Sequence, residues 1–287
     1  MFARKNLALA GTLLLAAALL LAGCTPAPSA TSASVSGTLL VVGSSALQPL
    51  AQKASELFAV ANPDATVTVQ GGGSGTGLTQ VASGTCDIGD SDVFAAEKLD
   101  AATAATLVDH KVCVVGFAAV VSPDVTVTSL TQQQLIDIFT GKTTNWKDVG
   151  GADEKIVLIN RPASSGTRAA FKKYALNGAE EATGVALTED SSGTVRSTVA
   201  GTPGSISYLA FSYLDSSIKA LSFDGVAPTA ANVAAGTYGI WSYEHMYTKG
   251  EATGVAAAFI VYMTGDAFKA SISSLGYIPI SDMAVSR

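Results

Sequence analysis

Histidine is nearly absent from this 287-residue chain: His110 and His245 are the only two, in unrelated surroundings. A hydrolase built around a histidine base has little to draw on, and no Gly-x-Ser-x-Gly elbow is present. The three cysteines and two histidines nowhere fall at metal-ligand spacing, so neither metal nor cofactor is expected. Acidic pairs such as Asp153-Glu154 and Glu180-Glu181 read as solvated loop or helix-end charge. Basic residues are outnumbered, 17 Lys and Arg against 23 Asp and Glu, and loss of a leader carrying Arg4 and Lys5 takes the formal charge from −6 to −8. Such a chain lacks the basic face that nucleic acid demands. Arginine is scarce as well, and Arg161, Arg168 and Arg196 are three of the four that remain beyond Arg4.

Residues 1–23 have the form of a secretory leader: a basic start, an apolar run from Leu7 to Leu21, and Leu21-Ala22-Gly23-Cys24, which resembles a lipobox. Cys24 is then the acylated first residue of a mature chain anchored at the outer face of a membrane. Residues 24–36, rich in Pro, Ser, Thr and Ala, read as a flexible tether. Cys86 and Cys113 remain. Outside the cytoplasm such a pair is a candidate disulfide worth about 3 kcal/mol; the alternative is two buried thiols on neighbouring strands.

The apolar run Gly37–Gly43, the strand Ala65–Gln70 and the strand Cys86–Gly89 alternate with helical patterns over Leu47–Val60 and Leu78–Ser83. This β-α-β-α-β order implies a parallel sheet with helices on both faces, and such sheets bind ligands at the carboxyl ends of their strands. Val112–Val121 is apolar and long enough to cross between lobes. A second α/β region follows: a helix at Thr131–Thr140, a strand at Lys155–Asn160, a strand around Val185–Leu187 and another at Ser205–Leu209, with Gly239–Tyr243 as a return crossing and helices at Gly254–Met263 and Asp266–Leu275. The expected organisation is one lobe of residues 37–117 plus 236–287 around an inserted lobe of 118–235.

Arg161-Pro-Ala-Ser-Ser-Gly-Thr-Arg168 lies between a buried strand and the helix that continues through Ala169–Tyr174. Free N–H groups at the positive end of that helix, three hydroxyls and two guanidiniums make an oxyanion cradle. Gly71-Gly-Gly-Ser-Gly-Thr-Gly77 lacks the lysine of a P-loop and satisfies Gly-x-Gly-x-x-Gly at no offset. It reads as a turn where backbone approaches a ligand, with Ser74 and Thr76 offering hydroxyls. Asp92 carries the selectivity argument: a carboxylate beside an anion repels it unless the ligand brings a proton to share. Phosphate does so near neutral pH, whereas sulfate and molybdate do not.

Gly43-Ser-Ser-Ala-Leu-Gln-Pro49, Gly71–Gly77, Asp87-Ile-Gly-Asp-Ser-Asp92, Arg161–Arg168, Pro203-Gly-Ser-Ile-Ser-Tyr-Leu209 and Leu275-Gly-Tyr-Ile-Pro279 together resemble the PstS family, the substrate-binding lipoproteins of phosphate ABC importers. The resemblance spans nearly the whole mature chain. It implies a two-lobed α/β fold of the class II periplasmic-binding-protein type, each lobe a mostly parallel sheet flanked by helices, with two crossover segments as hinge. It further implies a monomeric, non-enzymatic receptor for inorganic phosphate that serves a membrane permease. By the same resemblance the ligand contacts fall on Ser45, Ala46, Ser74, Asp92, Arg161, Ser165, Gly166 and Thr167, with Thr76, Arg168, Ser192 and Thr194 as further candidates. A receptor for molybdate or sulfate and a secreted phosphatase are the rival readings.

Overall fold

Short apolar strands joined by amphipathic helices build the first half of the molecule. The computed structural model describes residues 35–184 and 187–287; the leader, Cys24, most of the expected tether, and Val185 and Ala186 of the strand expected there lie outside the described residues. Strand β1 (Gly37–Gly43) is followed by α1 (Gln48–Ala61), β2 (Ala65–Gln70), α2 (Ser74–Ser83), β3 (Ile88–Ser91), α3 (Ala101–Ala104) and β4 (Leu107–Val121). The chain continues through β5 (Ser129–Leu130), α4 (Gln132–Phe139), β6 (Val157–Asn160), α5 (Gly166–Tyr174), β7 (Leu187–Thr188), α6 (Ser192–Gly201), β8 (Ser205–Ala210), β9 (Lys219–Ala220), β10 (Ser222–Phe223), α7 (Ala230–Ala234) and β11 (Trp241–Lys249), and ends in α8 (Gly254–Thr264) and α9 (Lys269–Ser274).

Among the described residues one mixed sheet of nine strands runs β2-β1-β3-β11-β4-β8-β6-β7, with β9 also on β4. β1 lies parallel to β2 and β3, as crossover helices require, and β6 lies parallel to β7 and β8. β11 runs antiparallel to both β3 and β4, and β8 antiparallel to β4. β4 pairs with β11 up to Gly116 and with β8 from Phe117, so a single strand serves both halves. The two crossings meet where the Phe117 N–H donates to the Ile240 carbonyl (2.9 Å).

β4 begins five residues before the expected strand because Leu107–Lys111, polar by composition, is held by β11. There Asp109 bonds His245 (2.7 Å) and His110 bonds Thr248 (3.1 Å), so both histidines are structural. The last expected helix is shorter, with a 3-10 turn at Asp266–Phe268 preceding α9. α5, whose start matters most for the site, rests on β8 through Phe171 stacked on Tyr208, ring centroids 4.5 Å apart. Burying such an aromatic ring contributes about 2–3 kcal/mol.

The disulfide is not formed: Cys86 and Cys113 are both buried and free. β11 separates β3 from β4, and Cys86 packs with Val42, Leu78, Val81 and Tyr247 while Cys113 belongs to the main core. Two thiols a full strand apart are beyond bridging distance. Burial pushes the Cys86 thiol up to about 12 and that of Cys113 well above its ordinary value, which leaves both unreactive.

Candidate functional site

Three chain turns from the first half meet two helix starts from the second. In the turn after β1, the Ser44 hydroxyl donates to Asp92 Oδ1 and accepts from the N–H groups of Ala46 (3.0 Å) and Leu47 (3.1 Å). The Ala46 N–H, expected to face a ligand, therefore turns back onto Ser44. Gly43, at φ 147°, lies so close to the Asp90 backbone that any side chain would collide with it. The turn is fastened from outside by two tyrosines, Tyr213 donating to the Ser45 carbonyl (2.8 Å) and Tyr277 to that of Ala46 (2.5 Å). The Leu275–Pro279 motif thus acts by placing Tyr277 under this turn.

The glycine segment is less of a loop than its composition suggests. α2 already starts at Ser74, so Gly75, Thr76 and Gly77 occupy its first turn. A Cβ at Gly77 would strike the backbone of Val42 and Gly43, which explains the glycine by close helix–strand approach. Thr76 is not in the site: its hydroxyl donates to the Gly72 carbonyl (2.7 Å), the usual i−4 bond of a helical threonine. Ser74 is fully buried and accepts the Asp92 N–H (2.9 Å), which leaves its own hydroxyl hydrogen to give.

Asp92 follows β3 at 1% exposure and accepts from both sides of the cleft: Oδ1 from Ser44, Oδ2 from the Thr167 hydroxyl (2.8 Å). Thr167 belongs to the first turn of α5, whose N-cap Ser165 accepts the Arg168 N–H (3.1 Å). Gly166 sits against the opposite half, where a Cβ would run into Ser74 and come within 3.0 Å of Asp92 Cβ. The halves are also tied by Gly75 N–H to the Ser164 carbonyl (2.9 Å) and by Lys98, whose ammonium donates to the carbonyls of Ala163 (2.8 Å) and Ser165 (3.3 Å).

Arg161 is 1% exposed. Its Nη2 donates to Ser45 Oγ (3.1 Å) and the Asp190 carbonyl (3.0 Å), its Nη1 to Ser192 Oγ (3.4 Å), and its Nε has no partner among the described residues. None of these bonds goes to a carboxylate, and burial pulls the guanidinium below its ordinary pKa. A buried cation costs several kcal/mol unless an anion joins it, so the site is built to receive negative charge. Ser192 at the start of α6 joins the cluster through its N–H (3.2 Å) and hydroxyl (3.0 Å) to Ser45 Oγ. Thr194 does not: it is exposed and bonds Ser191 in the N-cap (2.8 Å). Arg168 is also diverted, its Nη1 to the Arg161 carbonyl and its Nε to the buried Glu181 (3.5 Å), which makes it a brace for Arg161. Arg196 pairs with Asp215 near the surface (3.1 Å).

The structure therefore gathers Ser45, Ser74, Asp92, Arg161, Ser165, Gly166, Thr167 and Ser192. Sequence reasoning missed Ser44, Lys98 and the tyrosines. Ser44 left a signal, being one of two adjacent serines after a buried strand, and Tyr277 lay inside the Leu275–Pro279 motif without a role read for it.

The PBP superfamily domain model matches residues 28–267. The phosphate-binding protein PstS of Bacillus subtilis is 57% identical over 254 residues, covering 88% of this chain and 84% of that protein. A protein described as a phosphate ABC transporter substrate-binding protein from Clostridium perfringens, solved with bound phosphate, superposes with TM-score 0.80 at 29% identity, covering 85% of this chain and 100% of that one. An ABC-type phosphate transport receptor from Vibrio cholerae gives TM-score 0.68 at 29% identity, covering 84% and 99%.

Proposed function

Because the chain belongs to the PstS family within the PBP superfamily, we propose that it captures one hydrogenphosphate ion between its halves and presents it to the permease of an ABC importer. The observation that carries this reading is Arg161, a fully buried guanidinium bonded only to hydroxyls and a carbonyl, beside an acceptor-only carboxylate. Phosphate satisfies both: its oxygens take the Arg161 and hydroxyl hydrogens, and its remaining proton goes to Asp92. Ser45, Ser74, Ser192, Ser165 and the first N–H groups of α5 supply further donors at a helix N-terminus. Ser44 replaces Ala46 in this assignment, as the group that orients Asp92. No bond of the ligand is made or broken.

Residues 37–117 plus 236–287 and residues 118–235 form the two lobes in this reading, and they open and close about Phe117 and Ile240. Closure excludes water, which strengthens every charge-assisted bond to the ion and marks the loaded receptor for the transporter. Cys24 carries the lipid that holds the monomer at the outer face of the membrane. Calorimetric titration of the mature chain with phosphate, with sulfate and molybdate as controls, tests the reading: phosphate binds tightly and the other two weakly. Equal affinity for all three would refute it.

A further inference from the structure

Behind Asp92 lies a second buried carboxyl group that ion capture alone leaves unexplained. Glu244 on β11 is 0% exposed, and neither of its carboxyl oxygens receives an N–H or O–H donor from the described residues. His245 pairs with Ser91, so Glu244 and Asp92 stand one step further along the two antiparallel strands, and their side chains are within hydrogen-bonding reach. The titratable groups that bear on Glu244 are Asp90 and Asp92 from the β3 side, Cys113 on β4, Tyr213 after β8, and Tyr277; none is cationic. Among the described residues no cluster of His, Cys, Asp and Glu, this one included, is arranged to hold a metal ion.

A buried ionised carboxylate with no donor and two carboxylates as neighbours is prohibitively costly, and a proton on one of them resolves it. The proton's position follows from the donors. Asp92 already takes hydroxyl hydrogens from Ser44 and Thr167, Asp90 leaves one buried oxygen without a donor, and Glu244 leaves both, so the hydrogen belongs on Glu244. We propose that Glu244 is a positioning residue that stands as a neutral carboxylic acid and donates its hydrogen to Asp92, fixing that carboxylate as the acceptor for the ligand's own proton. Burial and the two neighbouring aspartates push Glu244 well above the usual carboxylate range, in the same direction. An ionised carboxylate has about four acceptor positions. Ser44, Thr167 and Glu244 fill three, so one remains, and the site accepts an oxyanion that brings a single hydrogen to it.

This inference rests on the role of Asp92 proposed above, and its test separates the two. Infrared difference spectra of the mature chain read the protonated-carboxyl C=O band, and the Glu244 band is the one that wild type has and Glu244→Gln lacks. Calorimetry gives phosphate and sulfate affinities for wild type, Glu244→Gln and Glu244→Leu. The amide of Gln keeps a donor facing Asp92, so that variant retains wild-type affinity and phosphate-over-sulfate preference. Leu fills the volume without a donor, so phosphate affinity falls by about tenfold and the preference narrows while thermal stability is kept. A C=O band unchanged in Glu244→Gln overturns the proposal, as does Glu244→Gln binding as weakly as Glu244→Leu, or Glu244→Leu binding like wild type. Should Glu244→Leu fail to fold, the band and the affinity of Glu244→Gln still decide. If Asp92→Asn leaves selectivity unchanged, the reading of Asp92 fails, while the band reports the Glu244 proton independently.

Discussion

Thr167 gives its hydroxyl hydrogen to Asp92 across the cleft at 2.8 Å, joining the first turn of α5 to the end of β3. The bond orients the carboxylate from an element distant in sequence, so the acceptor depends on α5 as well as on β3. Asp92→Asn exchanges an acceptor for a side chain that can also donate. An unprotonated oxyanion then finds a donor where it had met a charge, and the ratio of phosphate to sulfate affinity falls by about tenfold or more. Competition calorimetry measures the ratio directly; a ratio equal to that of the wild type would remove Asp92 from the discrimination.

Arg161→Met tests the charge at the centre. With the ligand present, loss of the guanidinium strips charge-assisted bonds from a buried anion and costs about 3–5 kcal/mol, more than a hundredfold in affinity. Without ligand the same substitution removes a buried cation that has no carboxylate partner, so the protein is as stable as wild type or more so. Thermal melts with and without phosphate separate these opposite effects. A variant destabilised in phosphate-free buffer but still stabilised by phosphate would contradict the assignment.

Legibility in the sequence followed the range of the interaction. The Arg161–Thr167 cradle could be read because strand, cap and helix are local: Ser165 caps α5 where the sequence puts it, and α1 and α4 fall within a residue or two of their expected spans. Ser44 and Ser45 could not be told apart, since adjacent residues with the same hydroxyl differ only in direction, and direction is set by Asp92 and Arg161 arriving from elsewhere. Lys98, Tyr213 and Glu244 carry no local signature, and Tyr277 stood in a motif with no readable role, because sheet order and long-range packing give them their partners. The cysteine pairing failed for the same reason: counting cysteines cannot reveal that β11 inserts between β3 and β4. Thr76 misled because its helix begins four residues earlier than the glycines suggest.

Gly166→Ala probes how closely the halves must meet. The added methyl would meet Ser74 and Asp92 on the facing half, whereas α5 itself tolerates alanine at its first residue. Phosphate affinity is expected to fall by more than about tenfold while the unliganded melting temperature stays near that of wild type. Wild-type affinity in this variant would mean that the contact between Gly166 and Ser74 is not required for binding.

Glu181 offers a pH test that leaves the ligand aside. Its side chain is buried against the Tyr208 hydroxyl (2.8 Å) and the Arg168 guanidinium (3.5 Å). Burial raises its pKa from 4.5 to about 6 despite the pull of Arg168 in the other direction. A folded-state value above the unfolded one means that the folded protein holds this proton more tightly. The stability this proton contributes is full below pH 4.5 and is lost as the pH rises through about 6. The displacement corresponds to about 2 kcal/mol. Glu181→Gln does not titrate, so the unfolding free energy of wild type minus that of the variant falls by about 2 kcal/mol between acid conditions and neutrality. Urea unfolding of both proteins across that range reads the difference. A difference independent of pH, or one that grows toward neutrality, would show that Glu181 is stabilised as the anion by Arg168, with the ion pair outweighing its burial.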